Sequence, residues 1–271
     1  MPRALTVGGS DPSGAAGIQQ DMRTFSALGV WGCSVVTAIT VQDASRVHAS
    51  HNVEPDVVRA QIDAVIAGAR AVKTGMLPTA SCVVAVAQAA RDHAVERLVV
   101  DPVMVASSGD TLIDDDAIDA MKKELIPLAY VVTPNAHEAS VLSGVEVIDG
   151  GTQTRAARAV VALGARACVV TGGHVRHHGS NTTDVMAFDQ TLGAEMGLHQ
   201  DGMGFQRPSM TIEGLRGAGG VYAAALTAGL ARGELLYKAA GNAFMLVGRA
   251  MKERVQMDGK NVLDPRPDLE A

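Results

Sequence analysis

Rings are scarce in this sequence: Phe, Trp and Tyr together make up 3% of 271 residues. A core with so few aromatics is filled by Ala, Val, Leu, Ile and Met, which suits helices laid on a parallel sheet. Cysteine is rare too. Cys33, Cys82 and Cys168 are odd in number, far apart and without a C-x-x-C pair, which argues against zinc and a disulfide framework and for the reduced thiols of a cytoplasmic protein. There is no basic excess, the formal charge being −6. That argues against nucleic-acid and anionic-membrane partners, but not against a nucleotide, which needs only a local positive field. No apolar run reaches membrane-spanning length, and MPRALTVGGSD lacks the apolar stretch of a signal peptide.

Short apolar runs alternate instead with helical patterns. ALTVGG (4–9) reads as a strand and AAGIQQDMRTFSALG as a helix stopped by Gly29. CSVVTAITVQ (33–42), RAVKTG, RLVVDPVM, YVVTPN and ACVVTGG read as further strands. PDVVRAQIDAVIAG, residues 79–93, DDDAIDAMKKELIPLA, HEASVLSG and TRAARAVVALG read as helices. The alternation predicts an α/β fold, with a central, mostly parallel sheet and helices on both faces. Glycine and polar residues gather at the strand ends (GGSDPSG, VQDAS, KTGM, DPVMVASSGD, TPNAHE, TGGH), where such sheets bind ligands. Farther on, VMAFD and AEMGLH read as a hairpin, and HVRHHGSNTTD and QDGMGFQRPS as loops. One domain over 1–271 is expected, with a poorly ordered tail from about 255. The Gly-rich stretch GLRGAGG (Gly214 to Gly220) opens a helix-like run, and its backbone N–H groups suit an anion.

Taken in order, GSDPSGAAGIQQD, TAITVQ, VKTGML, DPVMVASSGD and VVTPNAHEA resemble blocks of the ribokinase superfamily. The branch they resemble is the hydroxymethylpyrimidine and phosphomethylpyrimidine kinases of thiamin biosynthesis; pyridoxal kinases share the architecture. The resemblance implies a ribokinase-like fold, transfer of the γ-phosphoryl of ATP to a primary alcohol on a small ring, Mg²⁺ with the ATP, and a homodimer. It implies that Gly9, Asp21, Gln42 and Met76 form the pyrimidine pocket, and that Asp101, Asn135 and Glu138 organise Mg²⁺ and its waters. Thr171, Gly173 and Arg216 would face the nucleotide, and Gly217, Ala218, Gly219 and Gly220 would form the anion hole. Each has a plainer competitor. Gln42 suits a strand end, Asp101 before Pro102 a turn, Glu138 the first turn of a helix. The acids at 114–116 and the histidines at 174–178 suit solvated surface.

Four positions depart from the family's pattern. Gly220 stands where those kinases carry a cysteine and the wider superfamily an aspartate, the residue credited with activating the alcohol. Leu215 and Arg216 replace small polar or histidine residues, and Thr171 replaces a lysine. Two readings remain open at this point: a kinase, slowed or using another base, and a binding homologue that kept its pocket without catalysis. A pyridoxal or pyridoxine kinase is the neighbouring alternative.

Overall fold

A computed structural model describes residues 1–106, 109–173, 175 and 180–266. Of the histidine run, His174, His177 and His178 lie outside the described residues, as do Ser107 and Ser108. The strands are β1 (Arg3–Ser10), β2 (Trp31–Gln42), β3 (Val47–Asn52), β4 (Ala71–Thr74), β5 (Leu98–Val100), β6 (Val131–Val132), β7 (Ala167–Val170), β8 (Asn181–Phe188) and β9 (Gly202–Pro208). They form one nine-stranded sheet in the order β3-β2-β1-β4-β5-β6-β7-β8-β9. The strands from β2 to β7 run parallel, and β3, β8 and β9 are antiparallel additions at the two edges.

Period-two alternation sends neighbouring residues of each buried strand to opposite faces. Leu5, Val72, Val100, Val132 and Val170 meet α2 (Pro55–Val65), α3 (Ala80–Asp92), α4 (Asp115–Ala120), α5 (Ala136–Ser143) and α6 (Gly150–Ala162). Ala4, Ala71, Val99, Val131 and Val169 meet α1 (Gly17–Ala27), α7 (Gln190–Glu195), α8 (Ala218–Ala231) and α9 (Leu236–Lys252). Every residue of α8 from Val221 to Ala231 is buried, so the helix is covered all round. Its small side chains allow this: an added Cβ at Gly229 would lie 2.9 Å from Ala239 Cβ.

Most of the expected elements are present, with helix starts fixed by local chemistry. Pro55 opens α2. Thr79 caps α3 through Cys82 N–H, and Asp149 with Thr152 closes a capping box on α6. The chain differs from its sequence reading in four places. The NTTD end of HVRHHGSNTTD is not a loop but the start of β8. β3, VHASHN, escaped notice because it lies exposed on the sheet edge with no apolar alternation. QDGMGFQRPS is not a loop: Gly202–Pro208 pairs with β8, and Gly202 is there because a Cβ would lie 2.7 Å from Met186 O. AEMGLH is no strand, since Asp189 caps the short helix α7 through Leu192 N–H (2.6 Å).

Past Arg254 the first part of the remaining chain is paired. β11 (Val255–Met257) pairs with β12 (Lys260–Val262), which pairs in turn with β10 (Leu215–Arg216) immediately before α8. Gln20 Nε2 donates to Leu263 O at 2.8 Å. Distant residues thus brace the entry to α8. Leu226, fully buried at the centre of α8, sets its packing. Leu226→Ala is expected to cost about 2–5 kcal/mol, read as a lower urea midpoint at unchanged m-value.

Candidate functional site

β1 and β4 are neighbours whose onward connections leave in opposite directions, β1 to β2 and β4 to β5. Such a switch point opens a crevice at the carboxyl ends of the strands. Thr6, Lys73 and Asp101 continue the alternation of Ala4, Ala71 and Val99, so all three side chains face α1 and α8. Lys73 Nζ lies 3.1 Å from Asp21 Oδ2 and 3.4 Å from Asp101 Oδ2. The second is an ion-pair distance without a formed hydrogen bond. Thr6 Oγ1 donates to the same Asp21 oxygen at 2.6 Å, and Gly75 leaves room for the ammonium, 3.3 Å from where a Cβ would stand. Burial alone would discharge Lys73, but the two carboxylates outweigh it and hold the ammonium charged. Burial pushes Asp101 up from the usual carboxylate range, as does the charge of Asp21, while Lys73 opposes both.

Above this cluster stands the entry to α8. Gly217 is left-handed at φ 84°, and a Cβ there would fall 2.5 Å from Ala15 O; only glycine fits. Its neighbour is the loop of residues 11–16, wound around Asp11. The carboxylate of Asp11 accepts from Ser13 N–H (2.9 Å), Ser13 Oγ (2.7 Å) and Ala16 N–H (2.8 Å). Val221 N–H to Gly217 O opens the ladder of α8, so the N–H groups of Ala218, Gly219 and Gly220 precede it. A side chain at Gly219 would meet nothing within 4 Å, and at Gly220 only Asp21 Oδ1, at 3.8 Å. Free N–H groups, the helix dipole and open space together suit a phosphoryl group.

The sequence-derived candidates are distributed along the strand ends. Gly9 and Met76 adjoin, a Cβ at Gly9 lying 3.1 Å from Met76 Sδ. Gln42 ends β2 nearby, its Oε1 accepting from Thr40 Oγ1 at 3.2 Å. Asp21 is engaged with Thr6 and Lys73 beneath Gly220. Asn135 and Glu138 close a capping box on α5: Glu138 N–H donates to Asn135 Oδ1 (3.0 Å) and Asn135 N–H to Glu138 Oε2 (2.8 Å). Glu138 is pushed up to about 8 by burial and by the charge of Asp101, against N–H donation from Asn135 and Met104. Among the described residues no group of three or more His, Cys, Asp or Glu is gathered as a metal cage. Thr171 and Gly173 follow β7, and space beside Gly173 is open.

Arg216 is not with Thr171 and Gly173. It is buried on β10, and its Nη1 donates to Ser45 O (3.2 Å) in the turn after β2. Four strands, β1 and β4 to β6, separate that turn from the β7 loop. Sequence reasoning missed Lys73, although a lysine inside the buried strand AVKT is itself a signal of a paired charge. It also missed Asp184 on β8, which accepts from Gly172 N–H at 2.8 Å and so holds the loop after β7.

Gly217→Ala is expected to lower stability by at least roughly 1–3 kcal/mol and to weaken anion binding at α8, checked by urea unfolding with and without inorganic phosphate. A second expectation concerns Asp184. Burial pushes its carboxyl from 3.8 up to about 7, opposed by the Gly172 N–H and by Arg207. The folded chain therefore holds a proton that the unfolded chain has released between about pH 4 and pH 7, and stability falls as pH rises through that window. Asp184→Asn, which keeps an acceptor for Gly172, should flatten this fall in urea midpoints taken from pH 4 to 8. Equal slopes in both chains would refute it.

A family model described as phosphomethylpyrimidine kinase matches residues 11–263. The hydroxymethylpyrimidine/phosphomethylpyrimidine kinase of Rhizobium meliloti is 40% identical over 94% of this chain and 92% of its own length. That of Bacillus subtilis is 36% identical over 94% and 89%. Among solved structures, the ADP complex of Bacillus subtilis pyridoxal kinase superposes with a TM-score of 0.85 at 31% identity, covering 97% of each chain. Phosphomethylpyrimidine kinase from Clostridium difficile gives 0.78 at 30% identity, over 92% of this chain and 99% of its own. The chain belongs to the phosphomethylpyrimidine kinase family, phosphotransferases with an alcohol acceptor built on the ribokinase-like fold.

Proposed function

We propose that the chain transfers the γ-phosphoryl of ATP to the hydroxymethyl group of hydroxymethylpyrimidine, or of its monophosphate, in thiamin biosynthesis, working as a cytoplasmic homodimer. The observation that carries this reading is the open, glycine-lined start of α8 directly over the buried Asp21–Lys73–Asp101 cluster. Phosphoryl transfer needs little covalent help and much positioning and charge neutralisation. The ring lies at the ends of β2, β1 and β4, among Gly9, Gln42 and Met76. The nucleotide lies over the loops after β6 and β7, with Thr171 and Gly173 beside it. The γ-phosphoryl meets the N–H groups of Ala218, Gly219 and Gly220 in between. The strand order, which sets the ends of β2, β1 and β4 apart from those of β6 and β7, supports this arrangement.

The residues present fit a Mg²⁺ ion carried mainly by phosphate oxygens and water rather than by a protein cage. Asp101 Oδ2 shares the Lys73 ammonium at 3.4 Å but makes no hydrogen bond, so it keeps a lone pair to offer a water of that ion. Asn135 and Glu138 act by tying α5 and the residues after β5 together. Such an ion supplies charge neutralisation on the transferring group. Lys73 balances the carboxylates, so that the anionic substrate does not meet two uncompensated negative charges.

A pyridoxine-type alcohol is a second acceptor to test, on the strength of the 0.85 superposition with pyridoxal kinase. Purified chain with Mg·ATP and hydroxymethylpyrimidine is expected to release ADP, to stop when EDTA removes the metal, and to lose about 10²-fold or more in kcat on Asp101→Asn. No ADP with any pyrimidine or pyridoxine-type alcohol would overturn the kinase reading in favour of a binding homologue.

A further inference from the structure

We infer that Asp21 is the proton acceptor of this kinase, taking the alcohol's proton through the space that Gly220 leaves open; the inference rests on the kinase reading above. An alcohol attacking a phosphoryl group seated on the N–H groups of Ala218 to Gly220 needs a base beside the first turn of α8. Among the described residues, and apart from α8's own backbone and the adjoining residues, Asp21 Oδ1 is the one heavy atom within 4 Å of the position a Gly220 Cβ would take, at 3.8 Å. That oxygen is buried and has no hydrogen-bond partner. Its twin is fully occupied, with Oδ2 accepting from Thr6 Oγ1 and Lys73 Nζ. The carboxylate is thus oriented by two donors on one side and bare on the side that faces α8.

The other candidates among the described residues are engaged elsewhere. Glu138 spends its carboxylate on the N–H groups of Asn135 and Met104. Asp101 Oδ2 is paired with the Lys73 ammonium at 3.4 Å, and no atom of Asp101 lies within 4 Å of the Gly220 Cβ position. Burial pushes the thiol of Cys82 up to about 12 and that of Cys168 higher still, so neither supplies a thiolate. His137 is exposed on α5, and His48 and His51 on β3 at the sheet edge.

The step balances as follows. The alcohol oxygen forms its bond to the γ-phosphorus as the bond from that phosphorus to the β-bridging oxygen breaks, and ADP leaves with that electron pair. The O–H bond of the alcohol breaks and its proton passes to Asp21 Oδ1, across one water seated beside Gly220, and from there to solvent after product leaves. A gap bordered by a bare carboxylate oxygen and by backbone N–H groups has the polarity that such a water requires.

The test compares four chains, unmodified, Asp21→Asn, Gly220→Cys and the double variant, by ADP release with Mg·ATP and hydroxymethylpyrimidine. Asp21→Asn is expected to lower kcat by about 10²–10⁴-fold, with KM for both substrates within roughly threefold. Gly220→Cys places a titratable group in the same gap. It should therefore raise kcat at least about tenfold more in the Asp21→Asn chain than in the unmodified one. Equal gains in the two backgrounds, or a kcat that survives Asp21→Asn, overturn the inference and leave the kinase reading standing. An unmodified chain that turns over no alcohol overturns both. Should Asp21→Asn lose its cooperative unfolding, Asp21→Glu takes its place, since it keeps the charge beside Lys73 and moves the oxygen. A carboxylate needed only to balance Lys73 predicts full kcat in that variant; the inference predicts a loss of about tenfold or more.

Discussion

The ammonium of Lys73, sealed between Asp21 and Asp101, is the constraint on which the rest of the site depends. It is one charge on the short inner strand β4, and its two partners come from different elements, α1 and the segment following β5. A buried charge without partners costs several kcal/mol, so α1, β4 and the end of β5 cannot move apart independently. That coupling fixes α1 beneath α8 and places the bare oxygen of Asp21 under Gly220. Two carboxylates against one ammonium also leave the cluster with an excess of negative charge. The N–H groups at the start of α8 supply positive potential from above, so an anionic substrate meets its donors before it meets the carboxylates.

The sheet was legible in the sequence because its inner strands are buried on both faces. A strand such as RLVV or ACVV can only be apolar throughout, and the glycine and polar residues collect where the strands end. The glycine-rich entry to α8 was legible for a different reason: Gly217 occupies a left-handed position pressed against Ala15 O, which admits no other residue. What stayed hidden were features fixed by distant partners. β3 has no apolar face of its own and exists by pairing with β2. The strands after 254 carry no buried alternation, and their place is set by pairing with two residues, Leu215 and Arg216, some forty positions earlier. Glycine misled in one place, since at Gly202 it marks a close backbone approach within a strand and not a loop.

The residues that carry chemistry were legible unevenly. Asp21, Asp101 and Glu138 were named through the family resemblance, but sequence could not say which oxygens remain free. The structure separates them by their donors. Glu138 is consumed by backbone N–H groups, Asp101 Oδ2 meets the Lys73 ammonium without a hydrogen bond, and Asp21 holds Thr6 and Lys73 on one oxygen and keeps the other bare. Lys73 was hidden in plain view, because a single lysine in an apolar strand carries no spacing pattern. Its meaning comes only from strand alternation, which turns residues 6, 73 and 101 toward the same face as α8.

The same distinction bears on the departures around the start of α8, Leu215, Arg216 and Gly220, which with Thr171 left a kinase and a binding homologue both open. Leu215 and Arg216 form the strand β10, paired with β12 and continuous with the brace that Leu263 O makes to Gln20. Arg216 is nine-tenths buried or more, and its guanidinium reaches Ser45 O in the turn that follows Gln42. Arg216 therefore joins the turn after β2 to the entry of α8, a reach that a small polar side chain lacks. Gly220 differs in kind. It touches no brace, and nothing but Asp21 occupies the space in front of it. The first two departures rebuild the rim of the site, whereas Gly220 opens a gap onto a carboxylate that is already oriented. Contacts between distant parts of the chain, from Leu263 O to Gln20 and from Arg216 to Ser45 O, hold the entry of α8 in register, and register is what positional catalysis of phosphoryl transfer requires.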